Sequence, residues 1–141
     1  KEGEILQWVE PEDLQRYGMI PEIVGRLPVT VALESLDEEA LVRILQEPKN
    51  ALVKQYDKMF ELEGIGLTFE PAAIRAIARG ALERGTGARG LRSIIESVMR
   101  DVMFEIPSRR DVREVVVTEE SIDHGVPPLL VLNPVERKRE A

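Results

Sequence analysis

The chain has 141 residues, 43% of them hydrophobic, and a formal net charge of −7, so it can form one main domain whose acidity argues against nucleic acid as the chief partner. It contains no cysteine, which excludes disulfides and thiolate zinc sites and fits a reducing compartment. Its longest apolar run falls far short of a membrane span, and no signal peptide is evident, so we expect a cytoplasmic protein with no membrane partner.

Residues 1–34 are predicted to form a leader ahead of the main domain. Within it, residues 11–17 predict a short helix that stops at Gly18. The single tryptophan, Trp8, is expected to pack locally rather than to bind a ligand. Farther along, Val29, Val31 and Leu33 alternate with other residues as in a strand, but this segment has no sheet to join, so a displaced or disordered segment is the alternative expectation.

Arg26 belongs to a short helical turn in this leader. Pro21 opens the turn and Pro28 cannot continue it, so Arg26 lies where the chain changes direction. Such a position holds the guanidinium out from its own fold. Taken alone, an arginine of this kind is most often a solvated surface residue.

The main domain is predicted over residues 35–132. Ser35 and Glu38 have the spacing of a capping box and are expected to begin its first helix. Pro48 breaks that helix, and Gly64 ends the next one. The predicted buried positions are Leu41, Ile44 and Leu45 in the first helix and Leu52, Tyr56, Met59 and Phe60 in the second.

Three short strands are predicted to complete the domain, around residues 65–69, 112–118 and 128–132. Pro71 opens a third helix whose inward positions are Ile74, Ile77, Ala78 and Ala81. His124 is placed in an exposed turn, and the charged residues 133–141 are expected to be disordered. The fold class is therefore α+β and mainly helical, with about four helices and a small three-stranded sheet.

Arg89 lies in the first turn of the fourth helix. That helix has an apolar stripe at helical spacing: Leu91, Ile94, Ile95, Val98, Val102 and Ile106. At about 100° per residue, Arg89 falls nearly opposite the stripe. Backbone N–H groups at a helix start favour anions, and the flanking glycines permit close approach. The pattern is therefore typical of a phosphate sensor, although such an arginine taken alone is, like Arg26, most often a solvated surface residue.

Four strings in the chain resemble the C-terminal part of the ClpX family of AAA+ protein unfoldases. They are VEPEDL at residues 9–14, GMIPEIVGRLP at 18–28, EPKNAL at 47–52 and GTGARGLR at 85–92. The resemblance extends from about Gly3 to Leu132. It implies that residues 35–132 are the AAA+ small C-terminal subdomain, preceded in residues 1–34 by the tail of the large ATPase subdomain.

The resemblance also implies roles for the two arginines. Arg26 would be a catalytic arginine finger that acts on nucleotide held by the neighbouring subunit. Arg89 would be the sensor-2 residue that contacts the ATP phosphates of its own subunit, with Gly87 and Ala88 beside it in the nucleotide-binding site. The full-length protein would use ATP with Mg²⁺ and form a hexameric ring. It would unfold tagged or unfolded protein substrates and translocate them into a ClpP-type peptidase.

Two features of the ATPase family are missing from this sequence. No G-x-x-x-x-G-K-[ST] phosphate-binding loop occurs, and no apolar strand ends in acids that would hold Mg²⁺. We therefore expect the chain alone to be inactive, to bind no metal and to hold nucleotide only weakly.

Two further classes of function stay open. In a non-enzymatic interaction or oligomerisation module, Arg26 and Arg89 would pair with acids of a partner. A helical nucleic-acid binder would instead use Arg84, Arg89, Arg92 and Arg100, although the acidic balance of the chain weakens that reading.

Overall fold

A computed structural model describes residues 5–134, which fall into two compact units, the first ending at Ser35 and the second beginning at Leu36. Residues 1–4 of the predicted leader and 135–141 of the predicted charged tail lie outside the described residues. The assignment of the leader and of the main domain to a large and a small subdomain stays a prediction. Among residues 5–134, no helix combines the length and apolarity that crossing a bilayer requires.

The first unit holds two short helices after a 3₁₀ turn at Leu6–Trp8, namely α1 (Pro11–Tyr17) and α2 (Pro21–Arg26). The predicted helix over residues 11–17 is confirmed, and it ends at Gly18 with a φ of 117°. The Trp8 side chain is 82% exposed, so the expected local packing is wrong.

The alternation of Val29, Val31 and Leu33 does not form a strand in the structure. No regular structure occurs between the end of α2 and Asp37. These three apolar side chains are all exposed. A strand needs backbone partners on a neighbouring strand, and alternation of apolar residues does not supply them.

Helix α3 (Glu38–Gln46) begins the structured part of the second unit. Its N-cap is Asp37, whose Oδ1 accepts a hydrogen bond from the Ala40 N–H at 2.7 Å. The predicted capping box of Ser35 and Glu38 is therefore wrong, because the helix starts two residues later than that box requires. Leu41 and Leu45 are fully buried, as predicted.

Helix α4 (Leu52–Leu62) follows a turn after Pro48. Tyr56 and Phe60 are buried, but Met59 is 46% exposed, so its predicted place in the core is wrong. The helix ends before Gly64, whose φ of 75° is the left-handed conformation that glycine adopts without strain.

A mixed sheet of three strands confirms the predicted small sheet. Its order is β1 (Gly66–Phe69), β2 (Val112–Val117) and β3 (Leu129–Leu132). β1 runs parallel to β2, and β3 runs antiparallel to it, with an irregularity between Val112 and Glu114.

Helices α5 (Pro71–Glu83) and α6 (Ala88–Glu105) contribute most of the buried helical side chains. The inward positions predicted for α5 are all buried, and so is the predicted α6 stripe except Val98, which is partly buried. Met99 was missed: it is fully buried, because it lies one turn beyond Ile95 on the same face. A 3₁₀ turn at Ile106–Ser108 follows α6.

A fifth helix of this unit, α7 (Glu119–Asp123), was not predicted. Its N-cap is Thr118, whose hydroxyl accepts from the Ser121 N–H at 3.3 Å. Arg79 of α5 links α5 to α7 through salt bridges to Glu119 at 2.9 Å and Asp123 at 3.1 Å. The second unit thus has five α-helices in the described residues rather than about four, and the mainly helical α+β class is confirmed.

Candidate functional site

The loop between α5 and α6 is built on two glycines in the left-handed conformation. Gly85 has a φ of 63° and Gly87 a φ of 53°. Between them, Thr86 bonds back to the last turns of α5. Its N–H and its hydroxyl both donate to the carbonyl of Ala81, at 3.2 and 3.3 Å. The glycines therefore allow a tight reversal, and Thr86 anchors it to α5.

The first turn of α6 carries no capping side chain. Gly87 is its N-cap and has no side chain, and no acid occurs in the first turn. Helix starts leave backbone N–H groups without intrahelical partners, and these carry partial positive charge. In this turn the Gly90 N–H already donates to the Gly87 carbonyl at 3.0 Å, so the donors left open are those of Ala88 and Arg89, and both residues are exposed.

Arg89 is exposed on this first turn, as predicted from its place opposite the apolar stripe. Within residues 5–134, its guanidinium makes no ion pair and no side-chain hydrogen bond. The next arginine on the helix, Arg92, approaches Glu96 at 3.7 Å. Arg89 therefore keeps its five donors available for a ligand placed at the helix start.

Gly90 is one of the glycines beside Arg89 that were expected to permit close approach, and it fixes the position of this turn. It is buried, and a Cβ added to it would lie 3.4 Å from the Ala81 Cβ and far too close to Thr86. The start of α6 therefore packs directly on the loop before it. In the sequence, a glycine placed directly after Arg89 indicates this close approach of α6 to the loop.

Arg26 is the last residue of α2 in the first unit and is exposed. The Leu27 N–H, which follows it, donates to the carbonyls of Ile23 at 3.1 Å and Val24 at 3.2 Å. Among the described residues, the Arg26 side chain has no hydrogen-bond or ion-pair partner. Arg26 and Arg89 thus belong to different units of the chain.

The donor chemistry at the start of α6 suits a phosphate group. An arginine and uncapped backbone N–H groups favour an anion, and no carboxylate stands in the first turn to repel it. A divalent cation would need a different set of ligands from a phosphate. Across residues 5–134, no three His, Cys, Asp or Glu side chains are grouped so that they could hold a metal ion. We therefore assign Mg²⁺ to none of the described residues.

The four arginines of the nucleic-acid hypothesis, Arg84, Arg89, Arg92 and Arg100, are all exposed. On α6, however, Glu96 approaches Arg92 at 3.7 Å and places a carboxylate between Arg92 and Arg100. A phosphate bound at the helix start beside Arg89 avoids that carboxylate, so recognition at a single site suits the surface better than a nucleic-acid backbone does.

Comparisons with known proteins identify relatives over most of the chain. Residues 36–119 match the family described as the C-terminal, D2-small domain, of ClpB protein. The chain is also 56% identical over 128 residues to the ATP-dependent Clp protease ATP-binding subunit ClpX 3 of Methylococcus capsulatus. That alignment covers 91% of this chain and 29% of the relative, so the chain spans less than a third of the relative's length.

Proposed function

The chain belongs to the family of the C-terminal, D2-small domain of ClpB protein, and we propose that it works as part of an ATP-dependent protein unfoldase of the ClpX kind. The observation that carries the proposal is the start of α6, where an exposed arginine stands beside uncapped backbone donors. A nucleotide phosphate is the ligand that this arrangement suits best.

In this proposal, Arg89 acts as the sensor-2 residue. Nucleotide bound beside the small domain would place its phosphates against the Arg89 guanidinium and the N–H groups of Ala88 and its neighbours. Loss of a phosphate would remove that attraction and change the energy of the small domain's position. Gly87 supports the role because a side chain at the N-cap would compete for the same donors.

Arg26 is proposed to act as an arginine finger on nucleotide held by the next subunit of a hexameric ring. A guanidinium presented at the end of a short helix can stabilise negative charge that develops during phosphoryl transfer. The exposure of Arg26 and its lack of partners within the described residues support this assignment.

The residues that hold the nucleotide and its metal ion would come from outside this chain. ATP and Mg²⁺ would be held by a phosphate-binding loop and acidic residues that this sequence does not contain. Tagged or unfolded proteins are the proposed substrates, a ClpP-type peptidase the proposed partner and the cytoplasm the proposed location.

A chimaera tests the proposal. The 128 matching residues of the Methylococcus capsulatus subunit would be replaced by those of this chain, and ATP hydrolysis and ATP-dependent protein unfolding would be measured. We expect the chimaera to retain both activities and to lose them on Arg89→Ala. A folded chimaera that hydrolyses ATP equally well with and without Arg89 would favour the interaction-module alternative.

A further inference from the structure

A cavity of about 360 Å³ opens at the opposite end of α6 from Arg89. Its floor is apolar and comes from Val98, Val102, Ile122 and Leu130, and Pro127 and Pro128 close one side. Its volume falls within the range of sites that accept small ligands or single side chains. Asp101, on its rim, is twelve residues from Arg89, or about 18 Å along the helix.

The rim of the cavity carries negative charge that nothing in the described chain neutralises by direct contact. Asp101 and Glu105 are exposed and make no hydrogen bond or ion pair within residues 5–134. The cation on the same rim, Arg109, is near enough to Glu105 to attract it electrostatically, but its hydrogen bonds go to Asp111, through Nε–Oδ1 at 2.7 Å and Nη2–Oδ2 at 2.8 Å. Two of its donors are therefore occupied, and neither rim carboxylate has a hydrogen-bonded cation among the described residues.

A shallower groove on the other side of the loop after α7 is also lined by acidic and apolar residues. Glu70, Glu119 and Glu120 line it, and it shares Val126 and Pro127 with the cavity. Arg79 bonds Glu119, which leaves Glu70 and Glu120 without a cation among the described residues. The two hollows thus flank one ridge.

That ridge is apolar and exposed. Val126 is 42% exposed and Leu129 57% exposed. We call the cavity, the groove and this ridge together the acidic–apolar face. Its carboxylates would repel the phosphates of a nucleic acid, and its apolar floor would gain from an aliphatic or aromatic side chain.

We propose that the acidic–apolar face docks a polypeptide segment in which apolar side chains alternate with lysine or arginine. An apolar side chain fills the cavity, and the neighbouring cations pair with Asp101 and Glu105 on one side and Glu70 and Glu120 on the other. This docking is separate from the nucleotide site at Arg89 and does not depend on the function proposed for it.

A fluorescence anisotropy titration tests the docking with the whole chain and a labelled Lys-Leu-Arg-Leu-Lys-Leu peptide. Two control peptides carry glutamate in place of the cations or serine in place of the leucines. We expect the first peptide to bind and both controls to bind at least about tenfold more weakly, since each lacks one half of the complementarity. Equal binding of the glutamate peptide would overturn the proposal.

Variants then locate the site. Asp101→Lys/Glu105→Lys should weaken binding at least about tenfold, and Val126→Ser should weaken it without any change of charge. The control Asp57→Lys/Glu83→Lys changes the net charge equally at exposed residues that do not line either hollow, and it should bind as the parent does. Thermal unfolding of each variant establishes that it is folded.

Three results would overturn the proposal. The first is an equal loss of binding in the control variant, which would mean that total charge governs binding. The second is self-association of the chain that Asp101→Lys/Glu105→Lys abolishes, because the occupant would then be a second copy. The third is much stronger peptide binding after removal of residues 135–141, because the chain's own C-terminal segment would then be the occupant.

Discussion

Gly90 lies so close to Thr86 that a Cβ added to Gly90 would fall within 2.9 Å of the Thr86 Cβ and nearer still to its hydroxyl. Rotation of the threonine side chain cannot move its Cβ, so the conflict can be relieved only by a backbone shift. Because Gly90 follows Arg89 directly, this contact sets where the guanidinium-bearing turn begins.

Gly90→Ala should therefore destabilise the second unit. An alanine in a helix is ordinarily favoured over glycine by about 1 kcal/mol, but overpacking of this kind costs about 1–3 kcal/mol. We expect a lower midpoint in urea unfolding. The control is Gly80→Ala in α5, where the added Cβ meets only the Ile94 Cδ1 at 3.4 Å and stability should hold or rise. Equal behaviour of the two variants would contradict the close-contact argument.

Arg89→Ala should leave stability unchanged to within about 0.5 kcal/mol, as exposed substitutions usually do. Leu91→Ala, two residues along the helix, should cost about 2–5 kcal/mol because Leu91 is fully buried. Chemical denaturation of the chain measures both. In the chimaera, Arg89→Ala should sharply lower ATP-dependent unfolding, and activity at the parent rate would show that Arg89 is only a solvated surface residue.

Arg26 should act across a subunit boundary. Mixed rings would combine chimaera subunits carrying Arg26→Ala with subunits whose phosphate-binding loop is disabled. Activity should survive only where an intact Arg26 faces an intact nucleotide site. Arg26→Lys should also impair hydrolysis, since lysine keeps the charge but loses the planar fork of donors. If activity instead requires both features within one chain, whatever its neighbours, the arginine-finger assignment is wrong.

The second unit should fold without the first. A truncated protein that begins at Leu36 keeps the Asp37 cap and the whole buried cluster of the second unit. We expect a cooperative thermal transition close to that of the whole chain. Asp37→Ala in the truncated protein should cost about 1 kcal/mol, the usual value of an N-cap, whereas Ser35→Ala in the whole chain should cost almost nothing. A non-cooperative transition would show that residues 1–35 belong to the core.

Stability should fall at high pH because of Tyr56. Burial raises the pKa of the Tyr56 phenol above its usual 10.0; the nearby Glu96 carboxylate raises it further, and the Arg92 guanidinium partly offsets both. The folded state thus favours the neutral phenol. This contribution is fully present below the unfolded pKa near 10 and is lost as pH rises through the higher folded value.

Unfolding by urea between pH 9 and pH 11 checks this, with Tyr56→Phe as the test variant. Phenylalanine cannot ionise, so its stability should decline less with pH than that of the parent chain. Tyr17→Phe is the matched control because the Tyr17 side chain is 91% exposed. Parallel pH profiles for the two variants would argue against a role for Tyr56.

Local patterns predicted much of the fold because short-range forces decide it. Four of the six buried positions of α5 follow from spacing at 3.6 residues per turn, and the end of α4 before Gly64 follows from the left-handed conformation of that glycine. The exposure of Arg89 follows from the same geometry. The short helix α7 was missed, although Thr118 and two glutamates stood at its start, because five residues are too few to show a period.

By itself the sequence determined where the longer helices form, which face of α6 is apolar and that Arg89 stands at that helix's start, because backbone hydrogen bonding and side-chain period act over a few residues. Only the tertiary structure decided that Met99 is buried while Met59 is not, since both lie at helical spacing and the packing of other elements distinguishes them. The same holds for the acidic–apolar face. Its residues come from α6, α7, β3 and the loop before β3, together with Glu70 at the start of α5. Packing between these separate elements brings them together, and no local pattern encodes that packing.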